Sequence, residues 1–118
     1  ALLSDAHWEK SILRHANLRK SSLEYTHLQD ADLSHADLQE ARLLGANLDL
    51  VDLRGANLQR ANLQGAQLKG SNLEGADFSD ANLKDSRIDG ARWRGAIICR
   101  TTGINQAAMG SMLETKSC

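Results

Sequence analysis

The sequence predicts an all-β solenoid, and three features of a short repeat carry that prediction. From Ala1 to Arg100 the chain divides into twenty consecutive units of five residues, without an insertion or a deletion. The third position of the unit is apolar in all twenty and is leucine in fifteen, while the first position is alanine in fourteen. The other three positions are mostly polar, charged or glycine, so two of every five residues should face inwards.

A period of five fits neither regular secondary structure. An α-helix turns by about 100° per residue, so leucines five apart would spread around its surface. In a straight strand the side chains alternate, and an odd period would flip each successive leucine to the opposite face. A chain that turns once per unit, always in the same sense, keeps every third position on one axis. The period therefore predicts a solenoid.

Glycine marks the corners of this solenoid. Seven of the nine glycines occupy the fifth position, where a corner would require a positive φ. Other residues stand at the same position, such as Asp30 and His35. The sequence therefore predicts that the corner accepts several turn types.

Units such as ANLQG, ADFSD and ANLKD resemble the A(D/N)LXX pattern of the pentapeptide repeat protein family, and the resemblance covers residues 1–100. It implies a right-handed quadrilateral β-helix with four units per coil. On this basis residues 1–100 form about five coils, and residue n stacks on residue n+20 at roughly the 4.8 Å spacing of paired strands.

The repeat stops after Arg100, and residues 101–118 are predicted to form a C-terminal cap that is mainly helical. Ile104, Ala108 and Met112 recur at helical spacing, and a cap is needed to cover the open end of a stack of coils. Cys99 and Cys118 are the only cysteines and form a candidate disulfide that would staple the cap to the last coil. Two free thiols in a reducing cytoplasm are the alternative.

The N-terminal coil carries apolar residues at unusual places. Leu2 and Ile12 occupy the normally polar second position, and Trp8 replaces a leucine. These three residues are a candidate end-to-end contact in a homodimer. A preceding segment or another partner would cover the same end equally well.

Polar columns follow from the stacking of residues twenty positions apart. His7 should lie over His27 and His15 over His35, which gives paired imidazoles but no complete metal site. Asn17 and Asp37 begin a column of second-position side chains that we expect to bond turn backbone rather than calcium. Every titratable side chain of the repeats falls at an outward position, with no nucleophile and base brought together. The sequence therefore predicts neither an enzyme nor a cofactor or metal site.

The charge balance excludes several classes of partner. Fourteen Lys and Arg stand against fifteen Asp and Glu, for a net charge of −1. This gives no bulk attraction to nucleic acid or anionic membranes, and no apolar run approaches the ~20 residues of a membrane span. We expect no direct nucleic-acid binding and no membrane insertion. The N-terminus lacks the layout of a signal peptide, and both a cytoplasmic location and a thylakoid-lumen or periplasmic location remain open.

Tyr25, Leu44 and Leu50 are apolar residues at normally polar positions and form a candidate interaction surface. Together with the absence of catalytic groups, they favour a non-enzymatic structural module that binds a protein partner, with a regulatory role among its expected uses. The family resemblance also implies an alternative, a DNA-mimicking inhibitor of a type II topoisomerase or another DNA-binding protein. Such mimics are strongly acidic with frequent central phenylalanine, whereas this chain is near neutral and has only Phe78 at a central position.

Overall fold

The computed structural model describes residues 3–104 and 115–118 as a stack of coils. Within these residues no helix and no continuous strand forms. The backbone pairs instead through single-residue parallel β-bridges, and each bridge joins residues twenty positions apart throughout the repeat. Four pentapeptides therefore complete one coil. The molecule measures 35 × 24 × 22 Å, so its two short dimensions are nearly equal.

The bridges run in four ladders that define four faces, numbered here in chain order. Each ladder consists of second-position residues. Face 1 carries Ser22, Arg42, Asn62, Asn82 and Thr102; face 2 carries His7, His27, Asn47, Gln67 and Arg87; face 3 carries Ile12, Asp32, Asp52, Asn72 and Arg92; face 4 carries Asn17, Asp37, Asn57, Asp77, Ile97 and Lys116.

The core consists of the first and third positions, as the repeat predicts. From Leu23 to Leu83 every third-position side chain is at most 3% exposed, and the first-position alanines between them are equally buried. Small first-position residues allow the coils to close tightly around the leucines. At the first positions Ser11, Thr26, Ser71 and Ser86 the hydroxyl donates to the carbonyl three residues earlier, as Thr26 does to Leu23 at 2.8 Å. This bond satisfies the buried polar group.

Residues 61–65 illustrate how a pentapeptide of the inner coils satisfies all five of its backbone N–H groups. Ala61 donates to the carbonyl of Leu58 across the corner. Asn62 donates to the preceding coil, and Leu63 and Gly65 donate to the following coil, at distances of 2.7 to 2.9 Å. The remaining N–H, at the fourth position, donates to Oδ1 of Asn62 at 3.1 Å. Because all five backbone N–H groups of such a pentapeptide are paired, the coil needs no longer strands.

The preference for Asn and Asp at the second position follows from this fourth N–H. In the described repeats ten second positions are Asn or Asp, and in all ten Oδ1 accepts the N–H two residues later at 2.9 to 3.2 Å. Such local side-chain bonds replace a backbone partner. The polar columns predicted from the sequence therefore hold the turns, as expected.

All twenty corners use the same backbone conformation, which corrects the expectation of several turn types. Every fifth position from Asp5 to Arg100 has a φ between +53° and +73°, whether or not it is glycine. A positive φ at the third residue of a turn is the feature of a type II turn. The fifth positions contain no β-branched residue, because such side chains tolerate this region worst.

The C-terminal residues add two further bridges to the last coil. Thr102 pairs with Asn82 on face 1, and Lys116 pairs with Ile97 on face 4. The helix predicted within the cap, including Ala108 and Met112, lies outside the described residues. Ile104 is described and packs against the core.

Burial falls off towards the N-terminal coil. Leu3, Trp8, Leu13 and Leu18 are only half-buried, and with Leu23 and Leu28 they line a shallow apolar depression. Within the described ranges we find no helix that is both long and apolar enough to traverse a bilayer.

Substitution of a core leucine by aspartate should abolish folding. Leu63 is fully buried, and an unpaired buried carboxylate costs several kcal/mol against a total stability of about 5–15 kcal/mol. We expect Leu63→Asp to lose the cooperative thermal transition in circular dichroism. Gln64→Asp, one residue further and outward, is the matched control and should melt near the wild type. Equal melting of the two variants would contradict the assigned register.

Loss of the side-chain amide of Asn62 should reduce the stability of the fold by less than the loss of a core leucine does. In Asn62→Ala the N–H of Gln64 loses its acceptor, and we expect a loss of about 1 kcal/mol in chemical unfolding, the usual net value of one hydrogen bond. Asn62→Asp keeps Oδ1 and should retain most of that stability. If the alanine and aspartate variants unfold at the same denaturant concentration, the side-chain bond does not stabilise the corner.

Candidate interaction site

Two large apolar side chains project from the middle coils. Tyr25 is 54% exposed and Leu50 is 59% exposed. Leu44, the third residue of the candidate surface, is half-buried, and its carbonyl accepts the N–H of Tyr25 at 2.9 Å. Both exposed residues occupy fifth positions with φ near +59°. Their backbones therefore have the same corner conformation as the fifth position of every other unit.

Glycine in the following coil makes room for these side chains. A Cβ atom added at Gly45 would lie 2.5 Å from Cε1 of Tyr25, and one added at Gly70 would lie 2.8 Å from Cδ2 of Leu50. His35 lies over Gly55 in the same way, at 2.6 Å. Each of these large side chains therefore packs over a glycine of the following coil, where there is no side chain to block it. Sequence reasoning missed these glycines, although a glycine stands twenty residues after each of Tyr25, His35 and Leu50.

Tyr25 and Leu50 flank one face of the solenoid. Tyr25 stands at the corner where face 2 begins in the second coil, and Leu50 stands at the corner where face 2 ends in the third coil. Between them lie the half-buried second-position residues His27 and Asn47. The structure thus places Tyr25 and Leu44 at one corner, and Leu50 at the next corner.

The histidines stack as the sequence predicts. The rings of His7 and His27 are 4.3 Å apart and nearly parallel, and those of His15 and His35 are 5.2 Å apart. Glu9 lies 3.4 Å from Nδ1 of His7. In the part of the chain that the structure describes, no three His, Cys, Asp or Glu side chains are placed to hold a metal ion together.

Charged residues pair along the axis between coils. The second coil, residues 21–40, contains five carboxylates and no Lys or Arg. Three of them face arginines of adjacent coils. These pairs are Arg14–Asp32 at 3.5 Å, Arg42–Glu24 at 3.4 Å and Arg60–Glu40 at 3.9 Å.

Among the described residues, Arg100 and Asp80 form the closest ion pair between coils, at 2.7 Å. Hydrogen bonds from the Arg100 guanidinium lower the pKa of the Asp80 carboxyl. Asp52 has a lowered pKa for the same reason, because Arg54 donates to it. A lowered carboxyl pKa adds stability above the unfolded-state value, and this stability is lost as the pH falls through the folded-state value.

Trp8 and Ile12, the two described residues proposed for an end-to-end contact, do not lie together. Ile12 is 77% exposed on face 3, whereas Trp8 points inwards and lines the apolar depression. Leu2 lies outside the described residues. The two described members therefore share the first coil but not one surface.

The two cysteines are joined. Cys99 and Cys118 form a disulfide with their Cα atoms 4.7 Å apart. Cys99 occupies an outward fourth position but is only 9% exposed. The link connects residues 115–118 to the last coil.

A family model for pentapeptide repeats matches residues 1–34, 16–55, 26–65, 36–75 and 76–101, with eight copies. The chain belongs to the pentapeptide repeat family. The match spans the whole repeated part of the chain, so the family resemblance seen in the sequence is confirmed.

Two solved pentapeptide repeat structures are similar to this chain. HetL, which is involved in the regulation of heterocyst differentiation in the cyanobacterium Nostoc, shares 30% identity over 85% of this chain, with a TM-score of 0.76. A pentapeptide repeat protein of the Arabidopsis thaliana thylakoid lumen shares 33% identity over 80% of this chain, with a TM-score of 0.78. The chain spans 44% of the first protein and 66% of the second. A search of curated protein sequences finds no match.

Proposed function

We propose that this pentapeptide repeat protein is a non-enzymatic interaction module that binds a protein partner across face 2. The observation that carries the proposal is the pair of large apolar side chains, Tyr25 and Leu50, that flank this face while more than half exposed. Leu44 extends the apolar surface at the Tyr25 corner.

The rigidity of these side chains supports a role in binding. Binding energy is usually concentrated in a few residues, among which tyrosine is prominent. Ordering such residues on association costs affinity. Here the corner backbone is already fixed, and each side chain rests across a glycine. Tyr25 and Leu50 therefore expose apolar surface, and their side chains lose little conformational freedom when a partner binds.

The proposal also includes the handedness of the coils, the C-terminal cap and the cellular location. We take the coils as right-handed and square in section, with residues 1–100 as the solenoid and 101–118 as a cap that is mainly helical. The disulfide supports an oxidising compartment, because disulfides persist there and are rare in the cytosol of most organisms. The thylakoid lumen and the periplasm are compartments of this kind.

Site-specific crosslinking tests the proposed surface. A photoreactive phenylalanine analogue at Tyr25 or Leu50 should yield the same covalent partner from an extract of the source organism. Asp85 is the matched control position, because it occupies the same corner as Tyr25 three coils further on and is equally a fifth position. The crosslink should form at the first two positions and not at Asp85.

Substitution by asparagine gives the second arm of this test. Asparagine accepts a positive φ, so Tyr25→Asn and Leu50→Asn should fold normally and reduce binding of the purified partner at least tenfold. Asp30→Asn is the control substitution at the corner of Leu50. The proposal would be contradicted if a variant with both Tyr25→Asn and Leu50→Asn bound the partner fully. It would also be contradicted if Asp85 crosslinked the partner as well as Tyr25 and Leu50 do.

The DNA-mimic alternative has one supporting observation, the carboxylate-rich second coil. Three of its five carboxylates face arginines of the adjacent coils, which leaves little of the uniform negative surface that a mimic needs. We therefore expect no inhibition of DNA gyrase supercoiling at a tenfold molar excess of the protein. Inhibition at about one protein molecule per enzyme molecule would contradict the interaction-module proposal and support the DNA mimic.

A further inference from the structure

The last coil is completed by a returning segment at the C-terminus. Lys116 donates its N–H to the carbonyl of Ala96 at 2.7 Å and accepts the N–H of Ile98 at 2.8 Å. It therefore occupies the place that a second-position residue of a sixth coil would hold on face 4. Residues 115–118 thus cover the backbone edge of face 4.

The covalent link lies two residues beyond Lys116. Cys118 is exposed, and its disulfide partner Cys99 is the stacked fourth-position residue of the last coil. Thr115 makes a further interaction. A few hydrogen bonds at the end of a chain do not outweigh the conformational entropy of ordering it. The disulfide supplies the constraint that keeps the segment paired.

We propose that the Cys99–Cys118 disulfide is a reducible latch that controls access to the face 4 edge of the last coil. When the latch opens, the carbonyl of Ala96 and the N–H of Ile98 lose their partner. Ile97 and Ile98, both half-buried beside the segment, become more exposed. The opened edge accepts an extended segment of a partner protein as an added strand, because an extended segment already pairs there in the closed state.

The latch opens by exchange with a dithiol reductant. One thiolate of the reductant attacks the sulfur of Cys118, which is an exposed residue. A new S–S bond forms as the bond to Cys99 breaks, and the Cys99 sulfur leaves with the electron pair and takes a proton. The second thiolate then attacks the reductant's own sulfur in the mixed disulfide and releases Cys118. The protein disulfide is reduced by two electrons, and the dithiol is oxidised to a disulfide.

Arg100 favours the final release. Its Nη1 lies 3.6 Å from Sγ of Cys118, and a nearby cation stabilises a thiolate. Arg100 is itself held by Asp80, with hydrogen bonds of 2.7 and 3.0 Å. The attacked sulfur of Cys118 thus lies on the segment, while the cation beside it is anchored on the last coil.

Amide hydrogen exchange on the 118-residue chain tests the latch directly. The N–H of Ile98 donates to Lys116, whereas the N–H of Phe78, the equivalent residue one coil earlier, donates to Ile97 at 2.8 Å. On addition of dithiothreitol we expect protection of the Ile98 and Lys116 amides to fall at least tenfold. Protection at Phe78 should stay within twofold of the oxidised value.

Two variants separate the latch from a structural staple. Cys118→Ser should show the low Ile98 protection without reductant, and Ser117→Ala should behave as the wild type in both states. Trypsin should cut after Lys116 at least tenfold faster once the protein is reduced. Retention of Ile98 protection after complete reduction would overturn the proposal. Loss at Phe78 together with Ile98 would also overturn it, because the disulfide would then support the whole coil.

Discussion

Where a coil has neighbours on both sides, as the third and fourth coils do, the N–H groups of the second, third and fifth positions find their acceptors in those neighbours. This pairing fixes the distance between coils and leaves only two inward positions per unit. The inward side chains must then be nearly uniform, because each lies directly between two others of the same kind. The leucine and alanine columns, the single corner conformation and the frequent Asn or Asp at the second position all follow from this one requirement. Helices and long strands are unnecessary because the coil satisfies its backbone without them.

The alternation of charge between coils is a second consequence of stacking at twenty residues. The second coil has carboxylates and no Lys or Arg, while the first and third coils supply arginines that face it. Each surface pair contributes little alone. Taken together, they favour one register, because a shift of one coil would bring like charges into contact.

The repeat period predicted the inward positions, the stacked histidines and the turn-holding role of residues such as Asn62. These features depend only on spacing and on hydrogen bonding within one unit. The common corner conformation was not predictable from residue types, because Asp30 and His35 adopt a positive φ that is expected mainly of glycine. The relation of Tyr25 to Gly45 was missed because it requires comparison of residues twenty apart at the corners. The return of Lys116 to face 4 could not be predicted, since no repeat pattern extends beyond residue 100.

The placement of large corner side chains over glycines has a consequence for how such a chain can change in length. Removal of a single pentapeptide would rotate everything after it by one face, and Tyr25 would then meet a bulkier residue in place of Gly45. Removal or duplication of twenty residues keeps every side chain on its face. It still changes the neighbour of each residue at the junction. A lineage of this chain would therefore grow and shrink in whole coils, and each change would be followed by compensating substitutions at the corners.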